Sequence, residues 1–559
     1  MRKRFLAVFM ALCMLVPVAF AASGTSSSFV EGWQTRAAFV QALADASGDD
    51  IAVYKDQEKP FADAADNAVI AWAYAKWLIN GDDTGKFRPD DLITREEAAT
   101  ILGRYLDYRF TELPAGCGTG SPNLSDVSEW AQNAVSRCWM YGIIDTNDAP
   151  AFRPTELVSD ADAAAWIKNA NALTVSAIGE PEQKSFADSL VSTVDAKGNF
   201  TLSPYSARLC LAMLANGAKG DTQAELLKAL QIDDLDAFNK TVQRQMETYD
   251  GYARIMSLDT ANSIWLNQTQ FGGRGSFLPA FKTELGKFYS AEAREVTDNN
   301  SVEQVNAWVK EQTKDKIPTI LTEDNRDFAT ALVNAVYFKA AWENEFAESR
   351  TQKAEFTNAD GSKTAVDMMH QQNAFDYYAT PGVEAIDMDY RTYAVDNENG
   401  DNFENFRDAN FSMYFIKADK SLSVQNLLDN AKFTTATVNV SLPKFKVEYG
   451  TALNDSLKAL GIKTAYSVDN ADFSSMVDPK TATGGTVYLD TVLQKTYLSV
   501  DEKGTEAAAV TAAMTTGSAA PPSRPEIVRD FTADSPFWFA IRDNTNGEIL
   551  FVGRYETAS

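Results

Sequence analysis

The chain has 559 residues, 45% of them hydrophobic, so it can bury a sizeable core and is too long for one ordinary domain. Its 51 basic residues stand against 77 acidic ones, which gives a formal net charge of -26 at pH 7. A field of this sign repels phosphate backbones and anionic lipid, which excludes nucleic acid as an expected partner.

The first 21 residues have the composition of a secretory signal. Basic residues at positions 2–4 precede an apolar run at positions 5–20, and alanines at positions 19 and 21 mark a signal-peptidase site. We therefore predict a signal peptide over residues 1–21 and an exported mature chain. No later stretch is long enough to span a bilayer, so we expect a folded module to make any attachment to a surface.

Two N-terminal stretches resemble each other, and a third matches half of the same unit. The segment FADAADNAVIAWAYAKWLINGDDTGKFRPDDLITREEAATILGRYL (61–106) is echoed by LSDVSEWAQNAVSRCWMYGIIDTNDAPAFRPTELVSDADAAAWI (124–167), with Phe-Arg-Pro in both. Upstream, WQTRAAFVQALADASG (33–48) matches the back half of the unit. Each unit predicts a helix, a loop and a second helix that begins at a threonine or serine cap.

These units resemble surface-layer homology repeats, modules that exported bacterial proteins use in threes to bind cell-wall polysaccharide. The resemblance covers residues 22–171, with a partial first repeat and a degenerate third. It implies that Arg36 and Arg95, each preceded by a threonine, hold an anionic wall polymer. The third unit has Ser159-Asp160 instead, a negative charge where the family has a positive one. The alternative is a helical bundle that only spaces the main domain from the envelope.

Three cysteines remain after the signal peptide. Cys117 and Cys138 fall in one module and export favours oxidation, so a disulfide can join them, and two unpaired thiols are the equal alternative. Cys210, within ARLCLAMLA, is expected to be an inert thiol of the core. No cysteines and histidines have metal-ligand spacing, which predicts neither a metal site nor a cofactor.

Helical periodicity is lost over residues 172–182, where Gly179 and Pro181 indicate a linker. We predict one large domain over residues 183–559. Its front half contains segments with helical spacing, such as KSFADSLVSTV and SVEQVNAWVKEQTKDKI. Later segments, such as FATALVNAVYFKAAW, TVYLDTVLQKTYLSV and EILFVGRY, predict long buried strands. Early helices and late strands indicate an α+β fold.

Several segments of this domain, taken in order, resemble the serpins, a family of serine protease inhibitors. NFTLSPYSARLCLAMLANGAKGDTQAELLKAL (199–230), LVNAVYFKAAWENEF (332–346) and SPFWFAIRDNTNGEILFVGR (535–554) are close to blocks of that family. The resemblance covers residues 183–557. It implies a serpin fold, with a large central mixed β-sheet, surrounding helices and an exposed reactive loop.

In serpins, the segment that resembles DEKGTEAAAVTAA (501–513) is the hinge of the reactive loop. A target protease cleaves the loop as bait, and the freed upstream limb inserts as a new strand into the main sheet. Such a limb buries alternate side chains, and those at 505, 507, 509, 511 and 513 are all small and uncharged. The implied hinge residues are Gly504, Thr505, Glu506, Ala507, Ala508, Ala509, Val510 and Thr511.

The resemblance also places the bond that is cut. At the family's usual spacing of roughly fourteen residues from Gly504, this bond joins Ser518 and Ala519, within a window at 514–520. The residue before the cut is then small, which favours elastase-like or subtilisin-like proteases. Trypsin-like proteases would need a basic residue, and Arg524 lies too far along the chain.

Five further residues match positions where serpins open the sheet to admit the loop. Ser203, Ser206 and Asn334 match a polar cluster, and Gln494 stands where many serpins have a histidine of that cluster. Glutamine can still donate and accept hydrogen bonds. Trp342 matches the aromatic residue near the point of first insertion. A helix cap with polar and aromatic core residues is the plainer interpretation, and it is compatible with the functional one.

The only histidine of the chain is His370, in the strand-like segment DMMHQQ, so we expect no catalytic residues. We predict a secreted monomer, associated with a bacterial cell wall through its repeats, that inhibits serine proteases irreversibly in a covalent complex. The alternative is a non-inhibitory serpin that is cleaved as a substrate or serves as a binding protein on the wall. A third hypothesis makes wall attachment the main role.

Overall fold

The computed structural model describes residues 32–55, 61–64, 67–113, 123–144, 152–174, 177–395, 403–478, 486–505 and 527–558. The predicted signal peptide, Cys117 and residues 506–526 of the predicted reactive loop lie outside these ranges. The described residues build two large hydrophobic cores, one within the N-terminal repeats and one within the C-terminal domain.

Five α-helices form the described part of the repeats. They are α1 (Arg36–Ser47), α2 (Ala68–Ala75), α3 (Arg95–Arg109), α4 (Glu129–Met140) and α5 (Asp160–Asn171). Thr35, Thr94 and Ser159 cap α1, α3 and α5, and each side chain accepts a hydrogen bond from a backbone N–H of the first turn. These are the caps that the repeat pattern predicts.

Short backbone bridges join the three repeats into a closed ring. Thr35 pairs with Leu92 of the second repeat, Thr94 with Leu157 of the third, and Trp33 with Ser159. The apolar helix faces therefore meet in one shared core. It includes Phe39, Trp72, Leu102, Val135 and Trp166.

Eight α-helices lie in the described part of the C-terminal domain. They are α6 (Phe186–Ser192), α7 (Pro204–Gly217), α8 (Gly220–Leu230), α9 (Leu235–Gly251), α10 (Pro279–Tyr289), α11 (Ser301–Gln312), α12 (Val424–Asn430) and α13 (Asn454–Ala459). Helix α7 is apolar almost all round and packs against strands of both large sheets, so it lies between them.

The strands of this domain are numbered in chain order. They are β1 (Phe200–Leu202), β2 (Met256–Asn267), β3 (Glu292–Val296), β4 (Thr330–Ala341), β5 (Gln352–Thr357), β6 (Lys363–Thr380), β7 (Val383–Asp389), β8 (Tyr393–Val395), β9 (Phe403–Asn405), β10 (Phe411–Lys417), β11 (Thr434–Pro443), β12 (Phe445–Ala452), β13 (Thr491–Asp501), β14 (Gly504–Thr505), β15 (Val528–Thr532), β16 (Phe537–Asp543) and β17 (Glu548–Tyr555).

Two mixed sheets organise these strands. The nine-stranded sheet has the order β1-β17-β16-β10-β7-β6-β11-β15, with β5 paired to β6. The six-stranded sheet has the order β12-β13-β14-β4-β2-β3, and β8 and β9 form a separate antiparallel pair. The predicted α+β fold, with a large mixed sheet and surrounding helices, is confirmed.

The structure also decides the state of two cysteines. Cys138 is a free, fully buried thiol whose Sγ lies 3.5 Å from the carbonyl oxygen of Ala99, and burial raises its pKa to about 12. Cys138 is therefore not part of a disulfide, and Cys117, its predicted partner, lies outside the described residues. Cys210 is buried in α7 as expected, and burial raises its pKa to about 12 as well. Both thiols are thus held in the unreactive protonated form.

Among the helices of the described ranges, none combines the length and the apolar character that crossing a bilayer requires.

One carboxyl group inside the nine-stranded sheet is tuned by its surroundings. Asp387 of β7 stands opposite Asp376 of β6. Burial, and secondarily the nearby Asp389 carboxylate, raise the pKa of Asp387 to about 7, against the effect of hydrogen bonds with Tyr414 and Ser412. The folded chain therefore favours the protonated form. The stability from this group is present below the ordinary pKa of 3.8 and is lost as the pH rises through about 7.

We expect Asp387→Asn to stabilise the chain more at pH 8.5 than at pH 5, by on the order of 2 kcal/mol, because the amide preserves the neutral state. Urea unfolding of parent and variant at both pH values measures this difference. The exposed carboxylate of Asp367, replaced by asparagine, serves as the control. An equal effect of Asp387→Asn at both pH values would contradict the assignment.

Candidate functional site

The six-stranded sheet contains a place where a strand begins between two others. Strands β4 and β13 pair directly and in parallel from Ala331–Thr491 to Tyr337–Tyr497. We call this stretch of direct pairing the seam. Beyond its end, β14 lies between the two strands and is antiparallel to both, with Thr505 opposite Ala340 and Val500.

Gly504 occupies this position because no other residue fits there. Its φ of 151° lies in the region that L side chains rarely adopt. A Cβ at this residue would stand 2.2 Å from the carbonyl oxygen of Ala340 and 2.8 Å from the Cα of Ala341. The backbone of Gly504 therefore approaches β4 more closely than any side chain allows, which gives the predicted hinge glycine a physical reason.

Thr505 is fully buried and tied to an aromatic stack. Its hydroxyl lies 2.5 Å from the hydroxyl of Tyr390, and the Tyr390 ring stacks on Trp342 with centroids 4.8 Å apart and planes at 8°. The indole Nε1 of Trp342 donates to the carbonyl oxygen of Asp501 at 3.0 Å. Trp342 thus lies beside Gly504 and Thr505, the first of the predicted hinge residues.

An ion pair closes the same end of the sheet. Lys444 Nζ lies 2.8 Å from Glu502 Oε2, and the Thr351 hydroxyl donates to Glu502 Oε1 at 2.8 Å. Burial opposes ionisation of Glu502, yet hydrogen bonds from Lys444 and Thr351 outweigh it and hold the pKa of this carboxyl below its ordinary value. Sequence reasoning missed this pair. The available signal was two residues of opposite charge at the ends of apolar strands, Lys444 in LPKF and Glu502 in VDEK.

A row of three buried amides crosses the seam. Asn262 of β2, Asn334 of β4 and Gln494 of β13 stand at the same level in the sheet, in adjacent register positions. Asn334 Nδ2 donates to Asn262 Oδ1 at 2.5 Å, and Gln494 Nε2 donates to Asn334 Oδ1 at 2.5 Å. The hydrogen bond between Gln494 and Asn334 therefore spans the two strands of the seam.

The row is anchored at the start of α7. The backbone N–H of Ser203 donates to Gln494 Oε1 at 3.1 Å, and Gln494 Nε2 donates to the Ser203 carbonyl at 3.0 Å. Ser206 Oγ donates to Asn262 Oδ1 at 3.1 Å and accepts from Asn334 Nδ2. The four predicted polar residues are thus brought together, while Trp342 lies apart at the hinge. Asn262 was missed, although an asparagine within the apolar strand ANSIWL is an unusual residue there.

This arrangement holds the two strands of the seam together. Separating β4 from β13 would break the Gln494–Asn334 hydrogen bond and leave Asn334 Oδ1 and one N–H of Gln494 without a partner, which costs about 1–3 kcal/mol for each group. A polar side chain placed between the two strands would satisfy those groups again. The row is therefore chemically suited to receive a small hydroxyl-bearing residue.

Arg36 and Arg95, the two arginines predicted to bind wall polymer, lie where one repeat meets the next. Arg36 Nε donates to the Phe87 carbonyl at 2.9 Å, and its guanidinium pairs with Glu97 at 2.6 Å. Arg95 Nε donates to the Phe152 carbonyl at 3.0 Å, so each arginine contacts the Phe-Arg-Pro segment of the next repeat. Their side chains are 11% and 6% exposed. Their guanidinium groups therefore hold the repeats together, whatever else they bind.

The third repeat closes the ring with the opposite charge. Asp160, at the position of these arginines, accepts a hydrogen bond from Gln34 Nε2 at 2.5 Å. An amide of the first repeat thus replaces the contact that arginine makes in the other two joints.

Of the remaining predicted residues, 506–511 of the hinge and Ser518 and Ala519 lie outside the described residues. His370 is described, and its Nδ1 lies 2.9 Å from Ser441 Oγ across the β6–β11 pair. Within the described ranges, no three His, Cys, Asp or Glu side chains are arranged to hold a metal ion.

Comparison with known proteins agrees with this geometry. Residues 181–557 match the profile of the family described as serpin (serine protease inhibitor), and residues 58–99 match the S-layer homology domain. Human leukocyte elastase inhibitor is 30% identical over 64% of this chain and 93% of its own length. The rat leukocyte elastase inhibitor A is 30% identical over 67% of this chain and 99% of its own length.

Solved structures give the same result. Tengpin, a thermophilic serpin in its native state, superposes with a TM-score of 0.56 at 30% identity, covering 67% of this chain and 92% of that protein. An Arabidopsis serpin in its native stressed conformation has a TM-score of 0.55 at 27% identity, covering 66% of this chain and 95% of that protein. The chain therefore belongs to the serpin family and carries an S-layer homology domain ahead of its serpin domain.

Proposed function

We propose that this serpin is exported, is held at a bacterial cell wall by its repeats, and inhibits serine proteases irreversibly. In this proposal a target protease cleaves the reactive loop between Ser518 and Ala519. The upstream limb, hinged at Gly504, then enters the seam as a new strand and carries the acyl-enzyme with it. The single observation that supports this most is the position of Gly504 and Thr505, already between β4 and β13.

The register at the hinge supports insertion of this particular limb. Thr505 stands opposite Ala340 and Val500. If the antiparallel ladder continues for six residues, Thr511 falls opposite Asn334 and Gln494, which lie six positions earlier on β4 and β13. A threonine hydroxyl would then meet the amide row whose own hydrogen bond has been broken. The small residues at 505, 507, 509 and 511 would all share the buried side of Thr505.

The energetics of insertion favour a trap that does not reverse. One parallel ladder between β4 and β13 would be replaced by two antiparallel ladders, a gain of roughly ten hydrogen bonds at about 1 kcal/mol each. That gain is comparable with the ~5–15 kcal/mol that stabilises an average domain. The intact protein would then be metastable, protected by a kinetic barrier although the inserted form has the lower free energy.

The residues around the proposed cut suggest the class of protease. Ser518 is small, and small residues before the cut suit elastase-like and subtilisin-like pockets. The human and rat relatives are leukocyte elastase inhibitors by name, which agrees with this choice. A serpin that is only cleaved as a substrate remains the competing function.

Incubation with an elastase-like and a subtilisin-like protease tests the proposal. We expect a denaturing gel to show a band of summed mass that resists detergent, and mass spectrometry of the released peptide to place the cut at Ser518–Ala519. Quantitative release of a clipped product with active protease would support the substrate alternative and overturn the inhibitory one.

A charge at position 511 should convert the inhibitor into a substrate. Thr511→Arg would bring a guanidinium into the buried amide row during insertion, so we expect roughly a tenfold smaller fraction of covalent complex. The matched control is Glu506→Arg, because position 506 falls on the opposite phase, level with the half-buried Lys339 and Ser499. Equal loss of complex in both variants would contradict the proposed register.

Wall attachment is the second part of the proposal, and the S-layer homology match supports it. We expect the full chain to sediment with purified bacterial cell wall and to be displaced by soluble wall polysaccharide. Arg95→Gln should weaken retention severalfold, whereas Arg137→Gln, in the ion pair with Asp107, should not. Circular dichroism of both variants controls for loss of folding. A full chain that stays in the supernatant would leave the repeats as a spacer.

A further inference from the structure

The strand that follows the proposed reactive loop lies at the edge of a sheet. Strand β15 pairs in parallel with β11, and no other strand of the described ranges pairs with it. Strand β11 leads through Lys444 into β12, so this edge lies near the hinge end of the seam. An uncovered edge strand is weakly held, because half of its backbone groups face away from the sheet.

The repeats cover this edge with a buried lysine. Lys76, which ends α2, is 1% exposed, and its Nζ lies 2.9 Å from Asp530 Oδ2 and donates to the carbonyl oxygen of Val528. Its ammonium also lies 4.7 Å from the centroid of the Tyr108 ring. Burial alone would lower the pKa of Lys76, but Asp530 and its other partners raise it, so the cation is retained. An outward-facing carbonyl of β15 thus receives a charged donor from another part of the chain.

Contacts on both sides of Lys76 extend this cover along the strand. The Arg529 guanidinium donates to the carbonyl oxygens of Tyr108 and Asp107, and it lies 5.2 Å from the centroid of the Tyr377 ring. Ile527 packs against the hydrophobic core of the repeats. Four consecutive residues, 527–530, therefore touch the repeats.

A second contact fixes the same face of the repeats to the strand β6. The backbone N–H of Thr111 donates to the Ala379 carbonyl at 2.8 Å, and Thr111 Oγ1 accepts from the Ala379 N–H at 2.8 Å. The repeats thus contact the strands on both sides of β11, namely β6 and β15.

We propose that the repeat domain is a clamp that keeps β15 in its sheet and thereby preserves the intact, loop-free seam. The chain that joins Thr505 to Ile527 is tied at both ends, by β14 and by β15. Moving that chain into the seam uncut requires slack, and five residues of β15 released from the sheet would supply about 17 Å of it. Holding β15 therefore opposes insertion without cleavage. The consequence for inhibition rests on the proposed function, but the retention of the strand does not.

Hydrogen exchange on the full-length protein tests the clamp directly. In Lys76→Met we expect the amides of Val528–Thr532 to exchange at least tenfold faster than in the parent, because the capping donor is gone. The matched control is Lys432→Met, which removes an exposed ion pair with Glu112 at 3.6 Å on the same face. Exchange of β15 that is equal in Lys76→Met and the parent would overturn the proposal.

A second variant keeps the test decisive if Lys76→Met disturbs the repeats. Peptides from α3 report on their folding, and if these also exchange faster, Arg529→Gln is used instead, because Arg529 makes its contacts from the serpin side. We expect faster exchange at Val528–Thr532 with α3 unchanged. Unchanged exchange at β15 in this variant contradicts the clamp.

A second experiment tests the consequence for inhibition. It measures how fast the protein loses inhibitory capacity during incubation without protease, as expected if the uncut loop enters the seam. We expect Lys76→Met to form an uncut, heat-resistant species about tenfold faster than the parent or Lys432→Met. If the parent forms no covalent complex with any protease, the proposed function fails while the exchange arm still decides the clamp. If the parent inhibits but all three proteins convert at the same rate, the clamp fails alone.

Discussion

The direct parallel pairing of β4 with β13 is the contact on which the remaining structure depends. It holds the six-stranded sheet closed along seven residues of each strand, yet at one end β14 already lies between the same two strands. The hydrogen bond between Gln494 and Asn334 crosses the middle of the seam. Ser203, the cap of α7, binds Gln494, and Ser206 in the first turn of α7 binds Asn334. The short strand β14 is thus antiparallel to its two neighbours, β4 and β13. It could become longer only if the parallel pairing between β4 and β13 were broken.

Two kinds of contact hold Gly504 and Thr505 between β4 and β13, one steric and one electrostatic and aromatic. Steric exclusion fixes the backbone, because Gly504 leaves no room for a Cβ beside Ala340. Electrostatics and stacking fix its surroundings, through the pair of Lys444 with Glu502 and the Trp342–Tyr390 stack. Thr505 links Gly504 to the aromatic stack, because its hydroxyl lies within hydrogen-bond distance of the Tyr390 hydroxyl. Displacing Gly504 and Thr505 would therefore break several buried contacts.

The sequence predicts the parts of this molecule that are local. The repeat caps, the long apolar strands and the family blocks all follow from residues close together in the chain. The small residues at alternate positions of the predicted hinge can also be recognised from sequence, because a strand has a two-residue period. The family resemblance supplied Ser203, Ser206, Asn334 and Gln494, and the structure brings them into one network.

What the sequence could not give depends on pairing between distant segments. Asn262 is one of many asparagines in the sequence, and only the pairing of β2 with β4 shows that it lies beside Asn334. Lys76 resembles an exposed helix-terminal lysine, and its burial depends on contacts with the Tyr108 ring and with β15, more than 450 residues later. Arg36 and Arg95, which the motif predicts to bind wall polymer, show the same limit, because the motif does not reveal that their guanidinium groups join one repeat to the next.

The burial of Lys76 ties the repeats to the edge of the nine-stranded sheet. A serpin domain produced alone would present the outward carbonyl of Val528, the Asp530 carboxylate and the apolar Ile527 to solvent at an open strand edge. Open edges recruit strands from other molecules, so the separated domain would be prone to associate edge to edge. A shortened version of this protein that lacks the repeats would therefore need another way to cover this edge.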